Sequence, residues 1–245
     1  MPGSTAPNIL NKSYTITAEV TIPNGGAEGM IVTEGGRFGG YGLFLTRSYN
    51  YWLENRWVRT GGLVMLLAGL LVTWEGKQRA WSGGKLRVGH VMLMLGSLWV
   101  VAALATRTLD FGKGKPVFLY NLLDLKRTTW EGPAMGAGKH TIVFYFKSDG
   151  AALGQGGTGV LSVDGKEVAR NSMEHATPIT FPEDETFDIG SDTRTGVTLL
   201  EYRYDVPFPF TGKINKLTFK LDPFTPEEIA EAEAAQLKAT EAEKR

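Results

Sequence analysis

The chain has 245 residues, and its 26 basic residues balance its 26 acidic ones, so it carries no formal net charge. A balanced composition gives no reason to expect nucleic acid or an anionic surface as a partner. The absence of cysteine excludes disulfides, thiolate metal sites and cysteine nucleophiles. Residues 1–10 lack the apolar region of a signal peptide and are predicted to form a polar tail.

The first strands are indicated by alternation. Apolar residues occupy every second position from Tyr14 to Ile22, and a period of two is typical of a strand with one face in the core. Two further strands are predicted at Met30–Thr33 and Tyr41–Leu45. Paired glycines separate these segments, as expected for short strands joined by tight turns.

The composition changes abruptly over residues 46–112. Two apolar runs, Gly61–Trp74 and Val88–Thr106, replace the alternation, and as helices they would be about 21 and 28 Å long. The sequence therefore predicts an inserted apolar two-helix hairpin, transmembrane, that contacts a lipid bilayer through residues 57–106. A soluble or partner-packed hairpin and a foreign segment spliced into the chain are the alternatives.

The orientation of such a hairpin follows from its charged connector. Residues 75–87 between the two runs carry several basic side chains, and basic loops favour the cytoplasmic side of a membrane. The predicted location is therefore the membrane, with the strand-rich part of the chain on the periplasmic or extracytoplasmic side.

Alternation returns after the insertion. Strands are predicted at Pro116–Leu122, Arg127–Trp130, 139–146, Gly159–Val163, Lys166–Arg170, Thr186–Ile189 and Gly212–Leu221. Asp164-Gly165 is a strong signal for a two-residue hairpin turn, whereas Gly154–Gly159 is interpreted as a flexible loop. Residues 223–245 are predicted to form a C-terminal helix, because Thr225 and Pro226 supply an N-cap and a first-turn proline.

Many short strands without intervening helices predict a mainly β fold, an antiparallel β-sandwich. Because the hairpin interrupts it, the predicted sandwich domain is discontinuous and comprises residues 11–45 and 113–222.

Seven segments outside the insertion resemble the C-terminal accessory region of bacterial arylsulfatases. They are NKSYTITAEVTIP at 11–23, GMIVTEGG at 29–36, GKPVFLYN at 114–121, KHTIVF at 139–144, GVLSVDGKEV at 159–168, FDIGSDTRTG at 187–196 and FTGKINKL at 210–217. The resemblance implies a jelly-roll sandwich of the concanavalin-A or laminin-G kind, following a sulfatase catalytic domain in a longer protein. The same resemblance would join Leu45 almost directly to Gly114, so the hairpin lies outside it.

The chain departs from that family where catalysis is concerned. Arylsulfatases depend on a Cys or Ser in a Cys/Ser-x-Pro-x-Arg motif that is oxidised to formylglycine, and on a calcium ion in the catalytic domain. No such motif occurs here, so no catalytic residue is carried over and no enzyme activity is expected. The acidic cluster Glu183-Asp184-Glu185 lacks the phase of a laminarinase-type Glu-x-Asp-x-Glu site, and His140 and His175 are assigned structural roles.

Two ligand sites are considered from the residues themselves. Asp164, Asp188 and Asp192 could offer oxygen ligands to a structural calcium at one edge of the sandwich, although turn aspartates usually bond to backbone groups. Tyr120 and Trp130 could present rings on which a glycan stacks, although most aromatic residues of a sandwich belong to its core. No other cofactor is expected.

Three roles remain open at this point. The chain could be a non-catalytic accessory module of an arylsulfatase-type protein, with a sulfatase catalytic domain as its partner. It could be a membrane-anchored module, or a subunit of a membrane protein complex held by its hairpin. It could also be a glycan-binding module, since a sandwich fold alone does not determine function.

Overall fold

The computed structural model describes residues 5–46, 56–78, 84–108, 114–182, 185–198 and 202–223, together with 225–227, 229–230, 233–234 and 237. The chain divides into two compact units. One unit comprises Met1–Arg47 and Gly112–Arg245, and the other comprises Ser48–Phe111. The first consists of strands and the second of two helices, so the predicted mainly β class is confirmed.

Twelve strands are present in the described part of the first unit. They are β1 (Tyr14–Ile22), β2 (Gly29–Gly36), β3 (Gly39–Leu45), β4 (Pro116–Leu122), β5 (Lys126–Glu131), β6 (Gly138–Ser148), β7 (Gln155–Val163), β8 (Lys166–His175), β9 (Phe187–Ile189), β10 (Ser191–Asp192), β11 (Phe208–Pro209) and β12 (Lys213–Leu221).

The strands form two sheets. The five-stranded sheet has the order β12-β1-β6-β7-β8 and is antiparallel throughout. The seven-stranded sheet has the order β10-β11-β2-β3-β4-β5, with β9 also paired to β2. It is mixed, because β11 runs parallel to β2.

The main core contains inward-facing residues of both sheets. In β1 the residues Tyr14, Ile16, Ala18, Val20 and Ile22 are buried, and the positions between them are more exposed. Residues of β6, β3 and β4 join them in one hydrophobic cluster. The alternation read from the sequence thus corresponds to one face in the core and one face toward solvent.

The seven-stranded sheet is covered on its other face as well. Met30, Phe44, Val117 and Leu119 form a second buried cluster with residues that follow β10, among them Val197 and Phe208. Because both faces are covered, β2, β3 and β4 are buried along almost their whole length. Tight packing is visible at Gly42, where an added Cβ would lie 3.0 Å from a Val197 methyl.

The second unit consists of two helices, α1 (Arg56–Gln78) and α2 (Gly84–Thr108). A membrane span needs about 20 consecutive apolar residues. Among the residues that the structure describes, no helix is long and apolar enough to cross a membrane. The predicted transmembrane span through 57–106 is therefore not supported.

The structure differs from the sequence prediction at two local points. Ile9 is 3% exposed and belongs to the main core, so the segment predicted as a polar tail packs against the sandwich at its end. Gln155–Val163 is a strand rather than a loop from 154 to 159. Its glycines are required by close neighbours, since a Cβ on Gly156 would lie 1.9 Å from the Met173 carbonyl oxygen.

Other local predictions are confirmed. Asp164 and Gly165 both have positive φ and link β7 to β8, as the two-residue turn requires. At the C-terminal end the described residues from Pro226 onward include helical ones. The Ile229 amide donates to the Thr225 carbonyl at 3.1 Å, which places the start of that helix at the predicted cap.

Candidate functional site

An acidic cluster lies around strands β9 and β10. The Asp188 carboxylate accepts hydrogen bonds from the Thr186 hydroxyl at 3.0 Å, and from the amide and hydroxyl of Thr193. The Asp192 carboxylate accepts one from the Tyr204 hydroxyl. These bonds fix two of the three aspartates that the sequence proposed as calcium ligands.

The two aspartates have opposite electrostatic character. Burial raises the pKa of Asp192 to about 6, against the hydrogen bond from Tyr204, and the nearby Asp188 and Glu185 raise it further. Burial would also raise the pKa of Asp188, but the hydrogen bonds from Thr193 and Thr186 outweigh it and lower the value. Asp188 is thus a stable carboxylate, whereas Asp192 binds a proton in mildly acidic solution.

Glu185 completes this cluster. Its Oε1 accepts a hydrogen bond from the Thr195 hydroxyl, while its buried Oε2 has no partner among the described residues. The position depends on Gly36, since a Cβ there would lie 2.7 Å from the Glu185 carboxyl carbon. Glu183 and Asp184, named above in the glycosidase motif, lie outside the described residues.

Asp164 is on the other sheet. It lies in the β7–β8 turn, where its carboxylate bonds to His140 Nδ1 at 2.7 Å and accepts from the Thr141 amide at 2.8 Å. The structure therefore brings Asp188 and Asp192 together and leaves Asp164 apart. No group of three His, Cys, Asp or Glu side chains that could hold a metal occurs in the part of the chain described.

Tyr120 and Trp130 are core residues. Trp130 is 1% exposed and donates its indole N–H to the carbonyl oxygens of Gly159 at 2.8 Å and Asn171 at 3.2 Å. Tyr120 is 3% exposed, and its hydroxyl accepts from the Thr177 amide at 3.0 Å. Stacking on a sugar needs an exposed ring face, so these two residues do not form the glycan platform that the sequence suggested.

The hairpin has an unusual distribution of side chains. Among its residues whose side chains are described, the buried ones are the glycines Gly69, Gly89 and Gly96. The exposed ones include large apolar residues on both helices: Val64, Met65, Leu67, Leu70, Leu71 and Trp74 on α1, and Val88, Val91, Met94, Leu95, Leu98, Trp99 and Val101 on α2. The order is the reverse of an ordinary amphipathic helix pair, in which large apolar residues face inward.

The glycines let the two helix backbones approach closely. A Cβ on Gly69 would lie 2.8 Å from the Leu93 amide nitrogen, and a Cβ on Gly96 would lie 2.8 Å from that of Leu66. A Cβ on Gly89 would lie 2.8 Å from a Thr73 methyl. Small residues at the contact and large ones outside are typical of helices packed in an apolar surround.

Comparisons with protein-family models, with curated proteins and with solved structures find no match for this chain. The chemical properties of the site are therefore inferred from the geometry of its own residues.

Two features were missed by sequence reasoning although the sequence carries a signal for each. The contact glycines of α2, Gly89 and Gly96, are seven residues apart, which places them on one helix face. Glu34 occupies an inward-facing position of β2, two residues after the core residue Val32. A charged residue at a strand position that faces the core indicates a buried polar group.

Proposed function

We propose that the chain is a non-catalytic β-sandwich module attached to a lipid membrane by its inserted hairpin. The observation that carries this proposal is the apolar outer surface of α1 and α2. At 3.6 residues per turn, the exposed apolar positions extend over more than half of the circumference of α1 and a little less than half of that of α2. One partner helix would cover a narrower stripe, whereas a lipid surface can cover a broad one.

The chain path at the insertion suits an anchor. The Thr46 amide donates to the Lys115 carbonyl at 2.9 Å, and the Gly114 amide donates to the Thr46 carbonyl at 3.0 Å. The chain therefore leaves and rejoins the seven-stranded sheet between two paired neighbours, β3 and β4. An insertion at such a point adds an attachment element without altering the strands. The proposal requires only that the apolar outer surface leaves water.

The role of the sandwich is proposed from the resemblance to arylsulfatase accessory regions. We propose a jelly-roll sandwich that packs beside a sulfatase catalytic domain and supplies no catalytic residue. The pairing of β1 with both β6 and β12, distant in sequence, is compatible with a jelly roll. The test is co-purification of the chain with a formylglycine-type sulfatase domain, with aryl sulfate turnover expected only when that domain is present. Turnover by the purified chain alone would contradict the non-catalytic role.

Vesicle flotation tests the membrane anchor. The full chain is expected to float with vesicles of neutral phospholipid, and a variant in which a short Gly-Ser loop replaces residues 48–111 is expected to stay at the bottom. The exposed side chains Leu67, Leu71 and Trp74 are each expected to contribute roughly 1–2 kcal/mol when they enter lipid. Their simultaneous replacement by serine should lower the partition coefficient at least about 100-fold.

The matched control uses apolar residues of the sandwich with similar or greater exposure. Leu125, Ile179 and Leu153 are 82%, 77% and 68% exposed, and the triple serine variant of these residues should float like the parent chain. If both triple variants lose flotation equally, binding is a general effect of surface hydrophobicity. If neither does, the chain binds the vesicles through a part other than the outer surface of the hairpin, and the anchor proposal fails.

A further inference from the structure

Four polar side chains converge between the two sheets. Glu34 and Tyr41 are opposite each other on β2 and β3, and Tyr41 is opposite Tyr120 on β4. Tyr14 reaches the same region from β1 of the five-stranded sheet, since it interacts electrostatically with both Tyr41 and Tyr120. We call these four residues the interior polar cluster.

The hydrogen-bonding capacity of the cluster is not met by the protein. The hydroxyls of Tyr14 and Tyr41 and the Oε2 atom of Glu34 are all buried, and none has a protein hydrogen-bond partner in the described part of the chain. Buried polar atoms are nearly always paired, because an unpaired one costs about 1–3 kcal/mol. Three such atoms in one region therefore call for a common partner.

The cluster members satisfy one another only in part. The Tyr41 hydroxyl lies within hydrogen-bonding reach of the Glu34 carboxyl group, but the contact lacks the geometry of a complete hydrogen bond, so the hydroxyl and Oε2 keep unmet capacity. The Tyr120 hydroxyl accepts from the Thr177 amide, which leaves its own proton to be donated elsewhere. Polar groups that approach each other without completing a hydrogen bond are often joined by a bridging water.

We infer that the interior polar cluster binds ordered water, at least one molecule of which bridges Glu34 to the Tyr14 and Tyr41 hydroxyls. Tyrosine hydroxyls donate one proton and also accept, so the bridging group must do both. Water does both, and a buried water typically makes 2–4 hydrogen bonds. A metal cation is the poorer fit, because it offers no proton and would find a single carboxyl group here.

The protonation of Glu34 agrees with this occupant. Burial raises the pKa of Glu34 to about 7, and the Tyr41 hydroxyl opposes that rise. Near neutral pH the carboxyl group is present in both protonation states, and a bridging water can donate to the ionised form or accept from the neutral one.

A high-resolution crystal structure of the full chain is the direct test. The expected result is solvent density within hydrogen-bond distance of Oη of Tyr14, Oη of Tyr41 and the Glu34 carboxyl. Oxygen-17 relaxation dispersion in solution should show at least one long-lived internal water that is lost in the Tyr41→Phe variant. Absence of density, or a cation at short metal–oxygen distances in its place, would overturn the inference.

Variants give an independent measure. Tyr14→Phe and Tyr41→Phe should each lower the folding equilibrium constant about fivefold, since each removes one net hydrogen bond. Tyr145→Phe is the matched control, because Tyr145 is on the solvent side of β6, and it should change the constant less than twofold. If the two core variants are as stable as the parent or more so, the hydroxyls were unpaired and no water bridges them.

Discussion

The buried carboxyl of Asp192 should make the sandwich less stable as the pH rises. Its pKa is about 6 in the folded chain, against an ordinary value of 3.8, so the folded state holds the proton more tightly than the unfolded state. The stabilisation from that proton is complete below about pH 4 and is lost as the pH rises through 6. At 1.36 kcal/mol per pH unit, the difference amounts to ~3 kcal/mol between pH 4 and pH 7.5.

Asp192→Asn removes this dependence while keeping an oxygen that can accept from Tyr204. The assay is urea unfolding of parent and variant from pH 4 to pH 8, monitored by the circular dichroism of the sheets. The parent should lose ~3 kcal/mol more than the variant over that range, and other titrating groups such as Glu34 cancel in the comparison. Asp188→Asn is the opposite control. The pKa of Asp188 is lowered in the folded chain, so its carboxylate stabilises the parent above about pH 4, and the variant should be less stable than the parent in that range. Equal pH slopes for the parent and Asp192→Asn would refute the reasoning.

Three further outcomes are expected. Trp130→Ala should lower the free energy of unfolding, measured in urea, by about 3–5 kcal/mol. Trp130→Phe should lower it less, because the ring contact with Phe144 survives while the indole hydrogen bond to Gly159 is lost. Equal losses for the two variants would contradict this. Gly96→Ala should drive α1 and α2 apart at Leu66, lengthening the distance between spin labels at Val64 and Leu98, whereas Ser97→Ala, on the exposed side, should not. Asp164→Ala should lower the free energy of unfolding by about 1 kcal/mol, because the hydrogen bond from the Thr141 amide is lost. Asp164→Asn should be nearly as stable as the parent chain. An Asn variant as unstable as the Ala variant would show that the charge of Asp164 matters instead.

The strands that the sequence predicted best are those with one covered face. The prediction for β1 coincides with the observed Tyr14–Ile22, because alternation directly records a core side and a solvent side. The prediction for β2 was short, Met30–Thr33 against Gly29–Gly36. Both faces of β2 are covered, so polarity does not alternate along it, and its end glycines carry no pattern.

The covering of the seven-stranded sheet could not have been predicted from local pattern. Val197 and Phe208 reach Met30 and Phe44 from the segment after β10, which is far away in sequence. The same long-range packing separates the proposed calcium ligands. Asp188 and Asp192 are neighbours along the chain and in space, whereas Asp164 is fixed to His140 on another sheet. The spacing in the sequence indicates that the first two are close together, and it carries no information on the position of the third.

The hairpin shows why apolar periodicity alone was insufficient. An amphipathic helix reveals its packed face because its other face is polar. In α1 and α2 the outer face is also apolar, so the pattern identifies two helices without showing how they meet. The contact is revealed by the residues with the least side chain, Gly69, Gly89 and Gly96. Because glycine has no side chain, these contact positions bury no large apolar group between the helices. The outward position of the large apolar residues is the reason why the proposed function depends on what covers the hairpin, and the helicity of the two segments alone gives no information on that covering.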